Sequence, residues 1–234
     1  MPNPWTPYIK RFLRNLTFSF VILIILFLLC LWGLLAVADM IFEDKNFAFD
    51  QHVFLVIQPY VNSSMTRFMQ FITFFGSQNF LLPANLLLIF IFFIVKKTKW
   101  DALKVAAISI SSTIVLFTLK FILQRERPLV PLIAKAHGYS FPSGHTFTSV
   151  TFLGMLAYIC YKKMENRFLK WMLILLFFIL ALLIGFSRIY LKLHFASDVI
   201  AGFCLGIIWL LLARWILFTA QKKSTKPVVP AGVN

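Results

Sequence analysis

Three short groups of residues in this 234-residue chain combine cations, histidines and a carboxylate. Lysine and arginine neutralise the non-bridging oxygens of a phosphoryl group, and histidine can act as a proton carrier or a nucleophile. An aspartate beside a histidine can set the tautomer of the imidazole. The residue types therefore predict phosphoryl transfer. The groups are Lys120 with Arg127-Pro128, then Pro142-Ser143-Gly144-His145, then Ser187-Arg188 with His194 and Asp198.

The second group has the residue pattern of a helix start. Pro142 suits a first helical turn, Ser143 is a preferred N-cap residue, and Gly144 allows close approach of a ligand to the backbone. The first N–H groups of a helix have no intrahelical partner and bind anions readily. This stretch is thus a predicted phosphate-binding helix N-terminus.

The third group has an informative spacing. His194 and Asp198 are four residues apart, so they share one face if the last helix starts near His194. A carboxylate at the start of a membrane-spanning helix needs a partner. We expect His194 to be that partner.

The composition indicates the elements that must position these groups. Hydrophobic residues make up 60% of the chain and charged residues 13%, whereas soluble domains carry about 25% charged residues. The formal net charge of +15 does not indicate nucleic-acid binding, because the basic residues fall between apolar runs. Cys30, Cys160 and Cys204 lie apart within apolar runs and predict helix packing, with no disulfide or metal pattern.

Six apolar runs are interpreted as spanning helices, the first of them clearly long enough to cross the bilayer, so we predict an all-α polytopic bundle. A single six-span domain is expected over residues 16–218, with cytoplasmic segments at 1–15 and 219–234. The Gly202 and Gly206 pair is expected to pack within the bundle. The predicted spans are Leu16 to Ala38, Phe80 to Val95, Ala102 to Leu123, Thr146 to Tyr161, Trp171 to Phe186 and Asp198 to Phe218.

The segments between the spans are polar. We predict amphipathic helices over residues 50–76, at the interface or dipping into the protein. Ser187 to Ser197 is expected to be a short polar break between the last two spans. Asp50 is grouped with Glu43, Asp44 and Lys45 in a mixed-charge loop.

Basic clusters at 10–14, 96–99, 162–170 and 222–226 all fall on one side of a six-span arrangement. The positive-inside rule makes that side cytoplasmic, together with both termini. The segments 39–79, 124–141 and 187–197 then share the outer face. Any chemistry of the three groups is predicted to occur there, at the boundary of the plasma membrane.

The same groups match three family motifs in their proper order. Lys120 to Pro128 fits KxxxxxxRP, Pro142 to His145 fits PSGH, and Ser187 to Asp198 fits SRxxxxxHxxxD. The chain therefore resembles the type 2 phosphatidic acid phosphatase superfamily over residues 50–218. The short loops are typical of a bacterial member.

The resemblance implies a metal-independent phosphatase without a cofactor, acting through a phosphohistidine. It makes His194 the nucleophile, Asp198 the residue that orients it, and His145 the general acid. Lipid substrates implied are undecaprenyl diphosphate, phosphatidylglycerol phosphate, phosphatidate and lipid A. The implied phosphate ligands are Lys120, Arg127, Arg188, Ser143 and the Gly144 N–H. Arg125, Glu126, Lys135 and His137 lie outside the motifs and are expected to be solvated rather than to shape a headgroup pocket.

Four alternatives remain. A phosphotransferase needs only an acceptor that competes with water, whereas the related vanadate-binding haloperoxidases are soluble and fit six spans poorly. A lipid-binding or transport protein could use the cations alone, but it would not need both histidines and Asp198. A metal-dependent hydrolase with His145, His194 and Asp198 as ligands would be opposed by three nearby cations. The bilayer and a lipid phosphate are the expected partners, nucleic acid is not, and the oligomeric state is open.

Overall fold

Long apolar runs bounded by polar residues form the helices of this protein. The structure is a computed structural model, and it describes residues 18–134 and 137–224. Within them a 3₁₀ turn, Gln58–Tyr60, follows α2, and a π-helical turn, Ile91–Val95, continues α4. The all-α class is confirmed. The α-helices are α1 Phe18–Phe42, α2 Ala48–Ile57, α3 Ser63–Phe74, α4 Gln78–Phe90, α5 Lys99–Leu123, α6 Gly144–Lys163, α7 Arg167–Tyr190 and α8 Ala196–Ser224.

Five segments of the described chain are long and apolar enough to cross a membrane. The predicted span Thr146 to Tyr161 lies in α6, which is not among them. Three threonines, one serine and two glycines in α6 reduce its hydropathy. The count of six spans stays a prediction. The five segments are Phe20–Phe42, Ser63–Val95, Lys99–Leu123, Arg167–Tyr190 and Ala196–Leu217.

The polar residues of α6 are explained by its central position, because it packs against α5, α7 and α8. A Cβ atom on Gly206 of α8 would lie 2.7 Å from Val150 Cγ1 of α6. A Cβ atom on Gly202 would lie 3.0 Å from the Ser143 carbonyl oxygen. Packing of this glycine pair within the bundle is confirmed, because only glycine leaves room for α6 to lie so close.

The predicted helices between residues 50 and 76 are present as α2 and α3, and α3 packs against α7. The predicted break at Ser187 to Ser197 is wrong at its start, because Ser187 and Arg188 belong to the last turn of α7. Ser187 Oγ donates to the Ile184 carbonyl oxygen at 2.6 Å, so this polar side chain is satisfied within the helix and does not end it.

The predicted terminal segments lie mostly outside the described residues. Segment 1–15 is outside them, and α8 continues past the predicted end of its span to Ser224. The predicted division at 16–218 therefore stays a prediction. Cys30, Cys160 and Cys204 are free thiols.

Candidate active site

Six of the eight predicted site residues line one cavity of about 560 Å³. The cavity lies where α5 ends, α6 begins and α7 ends. The other two, Ser143 and Asp198, are fully buried behind its wall. The lining residues of the predicted set are Lys120, Arg127, Gly144, His145, Arg188 and His194.

His194 is 1% exposed and lies just before α8, which begins at Ala196, close to the expected start. Its backbone N–H donates to the Arg188 carbonyl oxygen at 3.2 Å. Its Nδ1 is 3.4 Å from Asp198 Oδ2, so the expected pair forms. On the other side of the ring, Arg127 Nη1 lies 3.0 Å from Nε2.

These contacts define the tautomer of His194. A guanidinium N–H can only donate, so Nε2 accepts and the ring proton resides on Nδ1, facing Asp198. Burial lowers the pKa of His194 to about 3, and Asp198 offsets this only in part. The imidazole is therefore neutral near pH 7 and carries its lone pair on Nε2. Because Arg127 occupies that lone pair here, a bound phosphate must draw the guanidinium away before Nε2 can act as a nucleophile.

His145, the second residue of α6, also lines the cavity. Burial lowers the pKa of His145 well below its ordinary value, and the charges of Arg188, Arg127 and Lys120 act in the same direction. A dianion in the cavity would reverse part of this effect by adding negative charge. Its place in the cavity wall suits a group that exchanges a proton with a bound phosphate ester.

Two of the three predicted cations are held by carbonyl oxygens of one loop. Lys120 Nζ donates to the Tyr139 carbonyl oxygen at 2.6 Å, and Arg127 Nε donates to that of Gly138 at 2.8 Å. Arg127 Nη1 also donates to the Leu193 carbonyl oxygen at 2.8 Å. The loop thereby draws both side chains to the cavity.

The third cation is placed by α3. Arg188 Nη1 donates to Thr73 Oγ1 at 2.8 Å. Arg188 Nε is buried and has no hydrogen-bond partner among the described residues. A buried unpaired donor is costly, and Arg188 lines the cavity, so a bound anion that reaches this N–H would be stabilised by it.

Ser143 and Gly144 take different positions. Ser143 is the N-cap residue of α6 but makes no side-chain cap, because its Oγ accepts from Thr146 Oγ1 at 2.9 Å. Its N–H donates to the Asp198 carbonyl oxygen at 3.0 Å. Gly144 lines the cavity, and its N–H stands at the first helical position, where no intrahelical partner exists. Phosphate binding by Ser143 stays a prediction, and this geometry gives it little support.

Asp198 has a stronger partner than the expected one. Arg125 Nη1 donates to Asp198 Oδ1 at 2.6 Å, and Arg125 is only 7% exposed. The prediction that Arg125 is solvated is wrong, because a fully buried carboxylate needs a cation and neutral His194 cannot supply one. Of its companions, Glu126 is exposed, His137 lines the cavity, and Lys135 lies outside the described residues.

Sequence reasoning also missed Asp50, Thr73 and Ser140. Ser140 Oγ donates to Asp198 Oδ2, and Thr73 holds Arg188. Asp50 is fully buried, paired with Arg125 and part of α2, so its assignment to a mixed-charge loop is wrong. The available signal was the chain's small number of acidic residues, 8 against 23 basic ones, but nothing in the sequence joins position 50 to position 125.

A helical membrane protein with a cationic cavity, two histidines and a buried carboxylate belongs to the class that binds and transforms phosphate esters. Comparison with known proteins narrows this class. The model of the PAP2 superfamily matches residues 101–222. Phosphatidylglycerophosphatase B of Bacillus subtilis is 32% identical over 176 residues, which cover 74% of this chain and 83% of the relative. Undecaprenyl-diphosphatase of Sulfolobus acidocaldarius is 27% identical over 192 residues, covering 79% and 84%.

Two solved structures are similar. A transmembrane PAP2-type phosphatidylglycerolphosphate phosphatase from Bacillus subtilis has a TM-score of 0.72 at 25% identity, covering 86% of this chain and 98% of its own. LpxE of Aquifex aeolicus has a TM-score of 0.56 at 29% identity, covering 72% and 96%. The chain belongs to the PAP2 superfamily and is a membrane-integral phosphatase, which confirms the resemblance found in its motifs.

Proposed function

We propose that this protein hydrolyses lipid phosphate or diphosphate monoesters without a metal, through a phosphohistidine at His194, on the outer face of a bacterial plasma membrane. The observation that carries the proposal is the orientation of His194. Its Nε2 lies next to Arg127 Nη1, its Nδ1 faces Asp198, and the ring lines the cavity that Lys120 and Arg188 also line.

The first step forms a bond between His194 Nε2 and phosphorus. The bond from phosphorus to the leaving oxygen breaks, and that oxygen takes a proton from His145, which is protonated once the phosphate dianion occupies the cavity. Lys120, Arg127 and Arg188 balance the charge that builds on the non-bridging oxygens. Asp198 stabilises the positive charge on the phosphorylated ring.

The second step consumes water. Its oxygen attacks phosphorus while His145 accepts a proton, and the N–P bond breaks with its electron pair returning to Nε2. Inorganic phosphate leaves, and both histidines return to their initial states. His145 thus acts first as an acid and then as a base, and His194 first as the nucleophile and then as the leaving group.

An apolar groove next to the cavity supports a lipid substrate. Its volume is about 430 Å³, and its walls come from α4, α5 and α6. Gln78, Leu116, Phe117 and Thr148 line both the groove and the cavity. A phosphate in the cavity could therefore keep its hydrocarbon chain in the groove and in the surrounding lipid.

The relatives indicate the substrate class. Proteins named for phosphatidylglycerophosphate and for undecaprenyl diphosphate match most of this chain, and the first has the higher identity. We therefore propose phosphatidylglycerol phosphate as the first substrate to test. Undecaprenyl diphosphate, phosphatidate and lipid A complete the panel.

The test is phosphate release by purified protein in detergent with excess chelator. We expect release from at least one of the four lipids. The His194→Ala variant should show none, whereas the matched control His52→Ala should be fully active, because His52 is exposed on α2. An active His194→Ala variant would exclude the phosphohistidine.

Other outcomes separate the alternatives. No release from any lipid, followed by transfer when acceptor alcohols are added, would identify a phosphotransferase. Loss of release on chelation would indicate a metal-dependent hydrolase. The face of the membrane is tested with a water-soluble short-chain substrate, which should be hydrolysed by right-side-out vesicles and not by sealed inverted ones.

A further inference from the structure

A buried ionic cluster joins the amphipathic helix α2 to the start of α8. One guanidinium, that of Arg125, lies between two carboxylates that are both fully buried. Its Nη1 donates to Asp198 Oδ1 at 2.6 Å and its Nη2 to Asp50 Oδ2 at 2.7 Å. The mechanism proposed above uses Asp198 but neither Arg125 nor Asp50.

Asp50 holds more than the guanidinium. Its Oδ1 accepts the Ser197 N–H at 2.9 Å, and its Oδ2 accepts the Ser197 hydroxyl at 2.6 Å. Ser197 is the residue before Asp198. The carboxylate of Asp50 therefore ties the first turn of α8, and so the backbone of Asp198, to α2.

The two oxygens of Asp198 have separate partners. Oδ1 accepts from Arg125 alone in this cluster, whereas Oδ2 accepts the Phe195 N–H at 2.9 Å and lies 3.4 Å from His194 Nδ1. Ser140 Oγ also donates to Oδ2. The two oxygens of Asp198 thus have different roles: Oδ1 binds Arg125 and Oδ2 faces His194.

This division depends on Asp50. A free guanidinium grips a single carboxylate through two parallel N–H···O bonds, which would engage both oxygens of Asp198. Asp50 occupies Nη2, and Ser197 Oγ, itself bonded to Asp50, accepts a second hydrogen bond from Nη1 at 2.7 Å. Arg125 is therefore left a single bond to Asp198. The faces of the guanidinium are covered as well, by Phe195 at 4.2 Å and Phe47 at 5.7 Å from the ring centres, so it has little room to turn.

We propose that Asp50 is a positioning residue for phosphoryl transfer, acting through Arg125 to keep Asp198 Oδ2 directed at His194 Nδ1. The inference rests on the function proposed above. It gives α2 a task in the reaction, although α2 contributes no side chain to the cavity wall described above.

The decisive variant is Asp50→Asn, which keeps the size of the side chain but removes the charge that holds Nη2. We expect kcat to fall on the order of 10- to 100-fold, as is typical of residues that orient a catalytic ligand. Inhibition by inorganic phosphate should change less than about threefold, because Lys120, Arg127 and Arg188 still hold the anion. Asp44→Asn, an exposed acid in the loop before α2, is the matched control and should be unaffected.

A double-mutant cycle tests the path through Arg125. Arg125→Gln should lower kcat at least as much as Asp50→Asn does. The kcat of the double variant should equal that of Arg125→Gln alone. Arg125→Lys should also be impaired, because an ammonium retains the charge but cannot bridge two carboxylates in one plane. Ser197→Ala leaves both carboxylates in place and serves if Asp50→Asn does not fold; it should give a smaller loss of kcat.

The outcomes are distinct. Unchanged kcat in Asp50→Asn, or additive losses in the cycle, would overturn the inference while the wild type remains an active phosphatase. A parallel loss of kcat and phosphate affinity would assign Asp50 a structural role only and would also overturn it. A wild type that releases no phosphate would refute the proposed function instead, before any variant is made.

Discussion

His145 is proposed to serve as acid and then as base, and its two tasks can be separated by the leaving group. In His145→Ala, lipid phosphates with alkoxide leaving groups should lose about 10²- to 10⁴-fold in kcat, because nothing protonates the departing oxygen. Aryl phosphates should lose much less in the first step, since a phenolate leaves without a proton. The measurement is the ratio of first-step rates for alkyl and aryl substrates, taken from single turnovers so that the second step does not enter.

His137→Ala is the matched control for this prediction. His137 lines the same cavity but is exposed, so its removal should leave the ratio unchanged. Equal losses for alkyl and aryl phosphates in His145→Ala would exclude its role as the acid. With an aryl substrate the same variant should also accumulate phosphoenzyme, because the attack of water lacks its base.

At the residue scale, the sequence predicted the side chains that line the cavity better than the side chains that hold them in place. Lys120, Arg127 and His194 stand in recognisable motif spacings and line one cavity. Arg125, in the segment after α5, and Asp50, in α2, lie 75 positions apart and meet only in the folded protein. A contact that depends on tertiary packing leaves no local pattern in the chain.

Close packing between α6 and α8 depends on the two glycines of α8. Alanine at a mid-helix glycine normally stabilises by about 1 kcal/mol. In Gly206→Ala we expect the opposite, a loss of about 1–3 kcal/mol, because the new Cβ would lie 2.7 and 2.8 Å from Cγ1 and Cβ of Val150. The midpoint of thermal unfolding, Tm, in detergent measures the effect.

Gly33→Ala in α1 is the matched control. Its Cβ would meet Cys204 Sγ at 3.4 Å, an ordinary contact, so Tm should stay the same or rise. A Gly206→Ala variant that is as stable as Gly33→Ala would show that α6 and α8 can move apart at no cost.

At the element scale, the apolar runs predicted the helices, but several ends were misplaced. The prediction ended the helix before Ser187 because polar residues begin there, yet α7 continues to Tyr190. Hydropathy marks where a chain can lie in lipid, whereas helix ends depend on hydrogen bonds such as that of Ser187 Oγ. Polar residues that face protein rather than water are misassigned by any hydropathy pattern.

The stability of the whole molecule should depend on pH through its buried histidines. Burial keeps the pKa of His194 at about 3 and that of His145 well below its ordinary value, whereas in the unfolded chain both titrate near 6.5. Below about pH 6.5 the unfolded chain therefore binds protons that the folded protein does not. The contribution of these two histidines to the free energy of unfolding is therefore fully present above pH 6.5. It falls as the pH drops, by up to about 1.4 kcal/mol per pH unit for each histidine.

The measurement is Tm in detergent between pH 7.5 and 5. The doubly substituted His145→Gln, His194→Gln protein should lose most of the slope, while His52→Gln should keep it. A slope that is unchanged in the double variant would mean that other groups control the acid sensitivity.

The polar composition of α6 has a consequence for how the protein enters the membrane. Insertion of a helix is favoured by its own apolar side chains, and threonine, serine and glycine contribute little. Helix α6 carries Thr146, Ser149 and Thr151 on buried positions. We therefore expect α6, which bears His145, to insert into the bilayer only together with its more apolar neighbour α7, which bears Arg188.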